Sequence, residues 1–446
     1  MNNSNELRQA FAKANDLFRQ KRYTEAIASY LALETKLNGY WKYWLNRAGV
    51  SRRLDGGESD AHRSIARAVK LAPDRLEVAV LALAIQLEFD PTSKVDGLKV
   101  QAIHQHHRDI AEKIISGATL SESQGMLIDS VFEFSLALLK REHLNVGWQL
   151  YEWRLLKPPF HQALRLTRAT SVNQSRGNWV VFAEQGIGDC IQFSRFLIPL
   201  QEISNRLALV APQPLLSLLR VSLPSAIDVR SLDVFTRGSA VQESETKKEE
   251  LRTLLSTSAA IPLMSLPNML HLSSTELLSR DICLKPPGDS RCKQFDGGER
   301  KFKNIGIAWQ GNPAFLNDET RSIPAHEMLN IMNSLGSHRY HLIQPNLRDE
   351  DVALLSRGHQ IINHQSEIRD FLDTANIMAS LDMVITVDTS VAHLSASLGK
   401  RTYIIINHPS DWRWGDSGER SYWYSTATLV RSYRQFDWTR LLHEPT

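Results

Sequence analysis

Ile385-Thr386-Val387-Asp388-Thr389-Ser390-Val391-Ala392-His393 joins a β-branched run to Asp-Thr-Ser at the point where a helix begins. The apolar period changes there from that of a buried strand to that of a helix, which marks a junction in an α/β unit. Short polar side chains and open backbone N–H groups at such a helix start form a cradle for phosphate, and His393, one turn in, adds a further donor. A lone helix histidine is ordinarily structural. At the carboxyl end of a central strand, beside the cradle, its position favours contact with a ligand.

Two further junctions of the same kind lie upstream. Ala183-Glu184-Gln185-Gly186-Ile187-Gly188-Asp189 runs from a strand through a glycine turn into a helix. As a dinucleotide fingerprint it fails. GxGxxG requires a glycine where Ile191 stands, and the second strand ends in Val210-Ala211-Pro212 rather than in an acid, which argues against an NAD enzyme. Asp189 falls where a carboxylate would cap the helix, so a structural role and a chemical one are both open. Trp309-Gln310-Gly311-Asn312-Pro313 is again a strand end, and Asp318-Glu319-Thr320-Arg321-Ser322-Ile323-Pro324 follows with an arginine that stays charged and suits a phosphate.

Outward from these junctions the alternation continues. Strands are expected at 179–183, 206–212, 304–310, 340–344, 360–364, 383–388 and 401–406, with a helix at 188–200, so two doubly wound units are expected. They are assigned to 178–284 and 303–446, with the Pro-, Gly- and charge-rich stretch Lys285 to Lys303 as linker and Gln242 to Glu250 as a solvated loop or helix face. Residues 1–157 read instead as amphipathic helix. Ala14, Leu17, Ala26, Tyr30 and Leu33 have the small/large spacing of a tetratricopeptide helix pair, and Gly49, Ala61, Ile65, Ala68 and Pro73 repeat it at close to the period of about 34 residues. A generic helical bundle is the alternative. Further helices are expected at 76–89, 99–116, 122–141 and 145–154.

Composition narrows the class. The 446 residues are 42% hydrophobic and 23% charged, as in a folded multidomain protein. Lys plus Arg, 52, against Asp plus Glu, 49, leaves only +3, which argues against a dedicated nucleic-acid binder. Cys190, Cys283 and Cys292 show no metal or disulfide spacing. With no secretory leader and no long apolar run, a cytoplasmic protein without an integral membrane segment is expected.

Taken together, EQGIGDCIQFSRFL, PLMSLP, GIAWQGNP with RSIP, RDFLDTANIMASLDMVITVDTSVAHLSASLG, DWRWG and the preceding GWQLYEWR resemble the bacterial tetratricopeptide-repeat glycosyltransferase-like proteins. Their carboxyl half is similar to lipopolysaccharide heptosyltransferases, and their plan is analogous to the O-linked N-acetylglucosamine transferases. The resemblance implies helical repeats followed by a GT-B fold of two Rossmann-like domains, acceptor side first. It also implies inverting transfer from a nucleoside diphosphate sugar, the donor substrate, without a metal or other cofactor. Carried over by motif, Asp189 in the turn with Gly186 and Gly188 matches the catalytic base. Arg321, with Trp309 and Gly311, matches the basic donor-phosphate segment, and Asp388, Thr389, Ser390 and His393 match the donor-binding Asp-Thr-x-x-x-His segment. The acceptor would be a protein or glycan, met through the repeats.

Several features depart from that pattern or stand outside it. AHLSASLGKR and His341-Leu342-Ile343-Gln344-Pro345 differ from the usual segments, so the nucleotide preference is open. Asp349-Glu350-Asp351 is formally a metal-binding DxD, with helix capping the favoured explanation. His104, His106 and His107 suggest a metal by composition only. Trp412, Trp414, Tyr422, Trp423 and Tyr424 suit either stacking on a sugar or packing. A noncatalytic interaction scaffold with a degenerate or nucleotide-sugar-sensing GT-B half is the rival class.

Overall fold

The computed structural model describes residues 2–90, 98–171, 177–231, 245–279, 284, 302–312, 318–345, 347–348, 351, 361–407, 410–431 and 433–439. Asp349, Glu350, Pro313, Cys283, Cys292, nearly all of the 285–303 stretch and the first residues of the 242–250 run lie outside the described residues. The chain forms two compact units, Met1–Leu164 with His408–Gly415, and Arg165–Asn407 with Asp416–Thr446.

The first unit is helical: α1 (Asn2–Arg19), α2 (Tyr23–Leu31), α3 (Glu34–Leu37), α4 (Trp41–Ser51), α5 (Glu58–Leu71), α6 (Leu76–Phe89), α7 (Leu98–Ser116), α8 (Glu122–Lys140) and α9 (Leu144–Tyr151). α1 packs on α2, α4 on α5, and α8 on both α6 and α9. Small residues allow the close approach. Ala14, Ala26, Ala61 and Ala68 are fully buried, and a β-carbon at Gly49 would stand 3.1 Å from Phe18 Cζ. Ser121 starts α8 with a reciprocal cap, its Oγ accepting from Gln124 N–H at 3.2 Å while Gln124 Oε1 accepts from Ser121 N–H at 3.0 Å. The buried Arg47 of α4 is matched by Glu34 at 2.6 Å and Asp60 at 2.7 Å, so the charge is not stranded.

Residues 410–415 belong to this helical unit although they follow a strand of the other. Trp148 meets Trp412 edge-on, ring centres 5.7 Å apart, and Tyr151 lies 5.8 Å from the same ring. Trp412 and Trp414, open in the sequence between a ligand and a core, are both buried. His104 meets Gln149 at 3.2 Å and His107 lies edge-on to Trp153 at 5.5 Å, so two of the three histidines serve helix packing. No group of residues suited to hold a metal occurs among the described residues, and no described helix is long and apolar enough to cross a membrane.

The second unit contains two wholly parallel sheets. One consists of β1 (Asn178–Phe182), β2 (Arg206–Ala211), β3 (Ile227–Ser231) and β4 (Ala259–Pro262) in the order β3-β2-β1-β4. The other consists of β5 (Asn304–Ala308), β6 (Arg339–Leu342), β7 (Ile361–Asn363), β8 (Met383–Val387), β9 (Thr402–Ile405) and β10 (Ala427–Val430) in the order β10-β9-β8-β5-β6-β7. The second is the doubly wound order, and the first is its opening half. In both, the strand order reverses beside the first strand, between β1 and β4 and between β5 and β8. β5 and β8 are buried along their whole length, which is why they read as continuous apolar runs.

The sequence misses β3, β4 and β10. All three are short edge strands, each paired on one side only, so none carries the long apolar run of a central strand. The single helix expected over 188–200 is instead a helix at Ile187–Phe193, a 3-10 turn at Ser194–Phe196 and a helix at Leu197–Glu202. Pro199 has no N–H to offer the carbonyl of Arg195 and its ring crowds that turn, so the helix cannot run through.

Candidate functional site

The junctions singled out in the sequence all lie at strand ends beside the two reversals of strand order. β1 leads into the Gly186 turn, β5 into Trp309-Gln310-Gly311, and β8 into Asp388-Thr389. β5 and β8 are neighbours in register, Ala308 opposite Thr386, so their loops leave the sheet side by side. Ligands of doubly wound sheets sit at such crevices.

At the first junction Gly186 is the N-cap of the Ile187–Phe193 helix, and Asp189 Oδ2 accepts from its N–H at 2.9 Å. The capping role left open by the sequence is therefore present. Asp189 is half-buried. Gly188 faces the other junction, because a β-carbon there would stand 2.9 Å from His393 Cδ2, 3.5 Å from Ser390 Cα and 3.7 Å from His393 Nε2. Only glycine permits this approach, and it brings the glycine turn against the Ser390–Ser397 helix.

That helix begins at Thr389, whose backbone is extended and whose side chain makes no capping bond. Thr389 Oγ1 is buried without a hydrogen-bond partner in a residue 7% exposed. A buried hydroxyl left unmatched at a helix start, where N–H groups and the positive dipole end gather, is the local chemistry of an anion site. His393 lies one turn on, nearly buried, its Nδ1 2.9 Å from the Tyr424 hydroxyl. Asp388 and Ser390 flank Thr389 and are half-buried.

At the third junction Asp318 is the hub. Its buried carboxylate accepts from Arg321 Nε at 3.0 Å, from Ser322 Oγ at 2.9 Å and from Arg348 Nη2 at 3.0 Å, and Ser322 Oγ accepts from Gly311 N–H at 3.0 Å. A β-carbon at Gly311 would stand 2.4 Å from Arg321 Nη2, so the absent side chain makes room for the guanidinium. Two arginines on one carboxylate leave a net positive charge. Arg348 was not legible in the sequence, since it follows β6 and reaches Asp318 from 30 residues away. Trp309 is a core residue and offers no stacking face: its ring is buried with Ile323 and Met328, its N–H is held by Gln344 Oε1 at 2.8 Å, and its indole points to Asp351 at 3.4 Å. Asp351 also accepts from Gln310 Nε2 at 3.0 Å, so this carboxylate of the DxD anchors the loop after β5.

Two parallel sheets whose reversal points meet through a glycine turn form an α/β architecture. No protein-family model and no curated protein matches the chain. Solved structures do, over its carboxyl portion. E. coli ADP-heptose LPS heptosyltransferase II is 13% identical with a TM-score of 0.42, covering 60% of this chain and 96% of its own. A family 9 glycosyl transferase from Veillonella parvula is 12% identical with a TM-score of 0.44, covering 60% and 89%. E. coli heptosyltransferase WaaC with ADP is 11% identical with a TM-score of 0.40, covering 59% and 98%.

Proposed function

We propose that the chain is a GT-B glycosyltransferase that moves a sugar from a nucleoside diphosphate donor to a protein or glycan acceptor with inversion and without a metal. The observation that carries the proposal is the meeting of the two reversal points, Gly188 against His393 and Ser390. It sets a half-buried carboxylate, Asp189, near an anion site with an unmatched hydroxyl at Thr389. Sugar transfer asks for both parts. A base takes the proton of the attacking acceptor hydroxyl while donors neutralise the charge growing on the departing diphosphate. In this reading Asp189 is the base, and the Thr389 to His393 helix start, with Asp388 and Ser390, receives the diphosphate. Arg321, held by Asp318 over Gly311, adds the charge that a freely rotating side chain would hold less well. Trp309 acts through the core, by fixing the loop that carries Gly311.

The helical unit fits stacked tetratricopeptide-like repeats that present the acceptor. Its support is the burial of the small residues at the repeat positions and the close approach at Gly49.

The test is Asp189→Asn with a panel of nucleoside diphosphate sugars. Donor affinity by calorimetry is expected to hold while turnover falls by about 10²- to 10⁴-fold. Unchanged turnover leaves Asp189 as a cap alone. Chelator is expected to leave the rate unchanged, and a divalent-ion requirement overturns the metal-independent reading.

A further inference from the structure

Arg195, within the EQGIGDCIQFSRFL run but given no role there, and Tyr424, left open between stacking and packing, build the wall behind His393. Tyr424 OH lies 2.9 Å from His393 Nδ1, and both side chains are buried. Arg195 lies on the other side of that tyrosine, its guanidinium carbon 4.7 Å from the Tyr424 ring centre and 5.5 Å from that of Trp423. The same guanidinium is anchored by three carbonyls. Its Nε donates to Gln192 at 2.9 Å, and its Nη1 donates to Leu278 at 2.6 Å and to Trp423 at 2.8 Å. Gln192 belongs to the helix that follows the glycine turn. Arg195 thus ties the 423–424 segment to the element that carries Asp189, and Tyr424 passes that anchorage to His393.

The two ring nitrogens of a histidine are distinct, and the bond made by one decides which carries the proton. A cation held over a phenol ring draws electron density from it and makes the hydroxyl the stronger donor. We infer that Tyr424 is a positioning residue, donating to His393 Nδ1 so that Nε2 carries the proton and offers it to an anionic oxygen beside the Gly186–Asp189 turn. The Nε2 edge already faces that turn at Gly188. The inference rests on the proposed donor site, in which that oxygen belongs to the diphosphate. It deepens the site by making a neutral imidazole a fixed donor, independent of protonation.

The experiment is Tyr424→Phe, which keeps the ring under Arg195 and removes only the hydroxyl. Nitrogen-15 spectra of labelled histidine, assigned by His393→Gln, are expected to show the Nε2–H form at His393 in the parent protein and a mixture in the variant. Calorimetry with ADP, UDP, GDP and CDP at pH 8.5 is expected to show an affinity about threefold to tenfold lower in Tyr424→Phe than in the parent for whichever binds. A merely structural role would lower the melting temperature and leave the tautomer at His393 unchanged. An Nδ1–H form in the parent, or an unchanged tautomer and affinity in Tyr424→Phe, overturns the inference. If neither Arg321→Ala nor His393→Ala alters nucleotide binding, the donor-site reading falls, and the spectra still decide the tautomer.

Discussion

At the scale of single residues, Thr389 is informative because fold and function are expected to pull it in opposite directions. A buried hydroxyl without a partner has lost water and regained nothing, at a cost of about 1 to 3 kcal/mol. Valine has the same shape and no hydroxyl. Thr389→Val is therefore expected to raise thermal stability slightly while weakening nucleoside diphosphate binding by about tenfold, measured by melting and calorimetry on the same sample. A variant that is less stable and binds normally would show the hydroxyl to be structural. Arg321 belongs to the same scale. Arg321→Ala is expected to weaken the nucleotide by about 1.5 to 3 kcal/mol, the range for a hydrogen bond to a charged group, while leaving acceptor binding alone.

At the scale of elements, the β6 to β7 edge of the larger sheet carries a buried histidine pair. His341 on β6 stacks on His364, ring centres 5.3 Å apart, with Nδ1 3.0 Å from His364 Nε2, and its own Nε2 lies 3.3 Å from Asn304 Oδ1 on β5. Burial, with His364 and Arg339 adding to it, pushes His341 down to about 4. The unfolded chain, with histidine near 6.5, takes up the proton first, so stability present above about pH 6.5 is lost as pH falls toward 4. The window is worth up to about 3 kcal/mol. Urea unfolding of His341→Gln is expected to show a flatter dependence across that window, and an unchanged slope would assign the proton uptake elsewhere. Elements also show where sequence reading stops. The central strands β5 and β8 were legible because burial on both faces demands apolar side chains throughout, whereas the edge strands β3, β4 and β10 are defined by a neighbour and not by their own residues.

At the scale of the whole molecule, the path of the chain matters more than the order of its segments. After β9 the chain enters the helical unit at 408–415, docks Trp412 on Trp148 and Tyr151, and returns to complete the sheet with β10. A chain begun at Arg165 would keep both sheets and strip these partners away. Trp412, 6% exposed in the intact protein, and Trp414, 2% exposed, would then face water. Such a chain is expected to self-associate, as seen by light scattering, and Trp412→Ser with Trp414→Ser is expected to restore a monomer. A monomeric parent truncation with a single sharp unfolding transition would show that this docking is dispensable. The double variant in the full chain is expected to destabilise the helical unit, since loss of a packed tryptophan costs about 3 to 5 kcal/mol.

The change from helical to α/β organisation, the central strands and the three polar strand ends are legible along the chain, because each is a matter of local period and of which short side chains follow a buried run. Asp189, Gly311, Arg321 and Thr389 were legible for that reason. It takes the folded chain to bring Gly188 against His393, to gather Arg348 with Arg321 on Asp318, to bury Trp309 and Trp412, and to set Arg195 and Tyr424 behind the histidine. The physical reason is common to all of these. The deciding contacts join residues far apart in the chain, 30 positions for Arg348 and Asp318 and 228 for Arg195 and Trp423, and no periodicity along the chain records which strand ends will face each other once the sheets are wound.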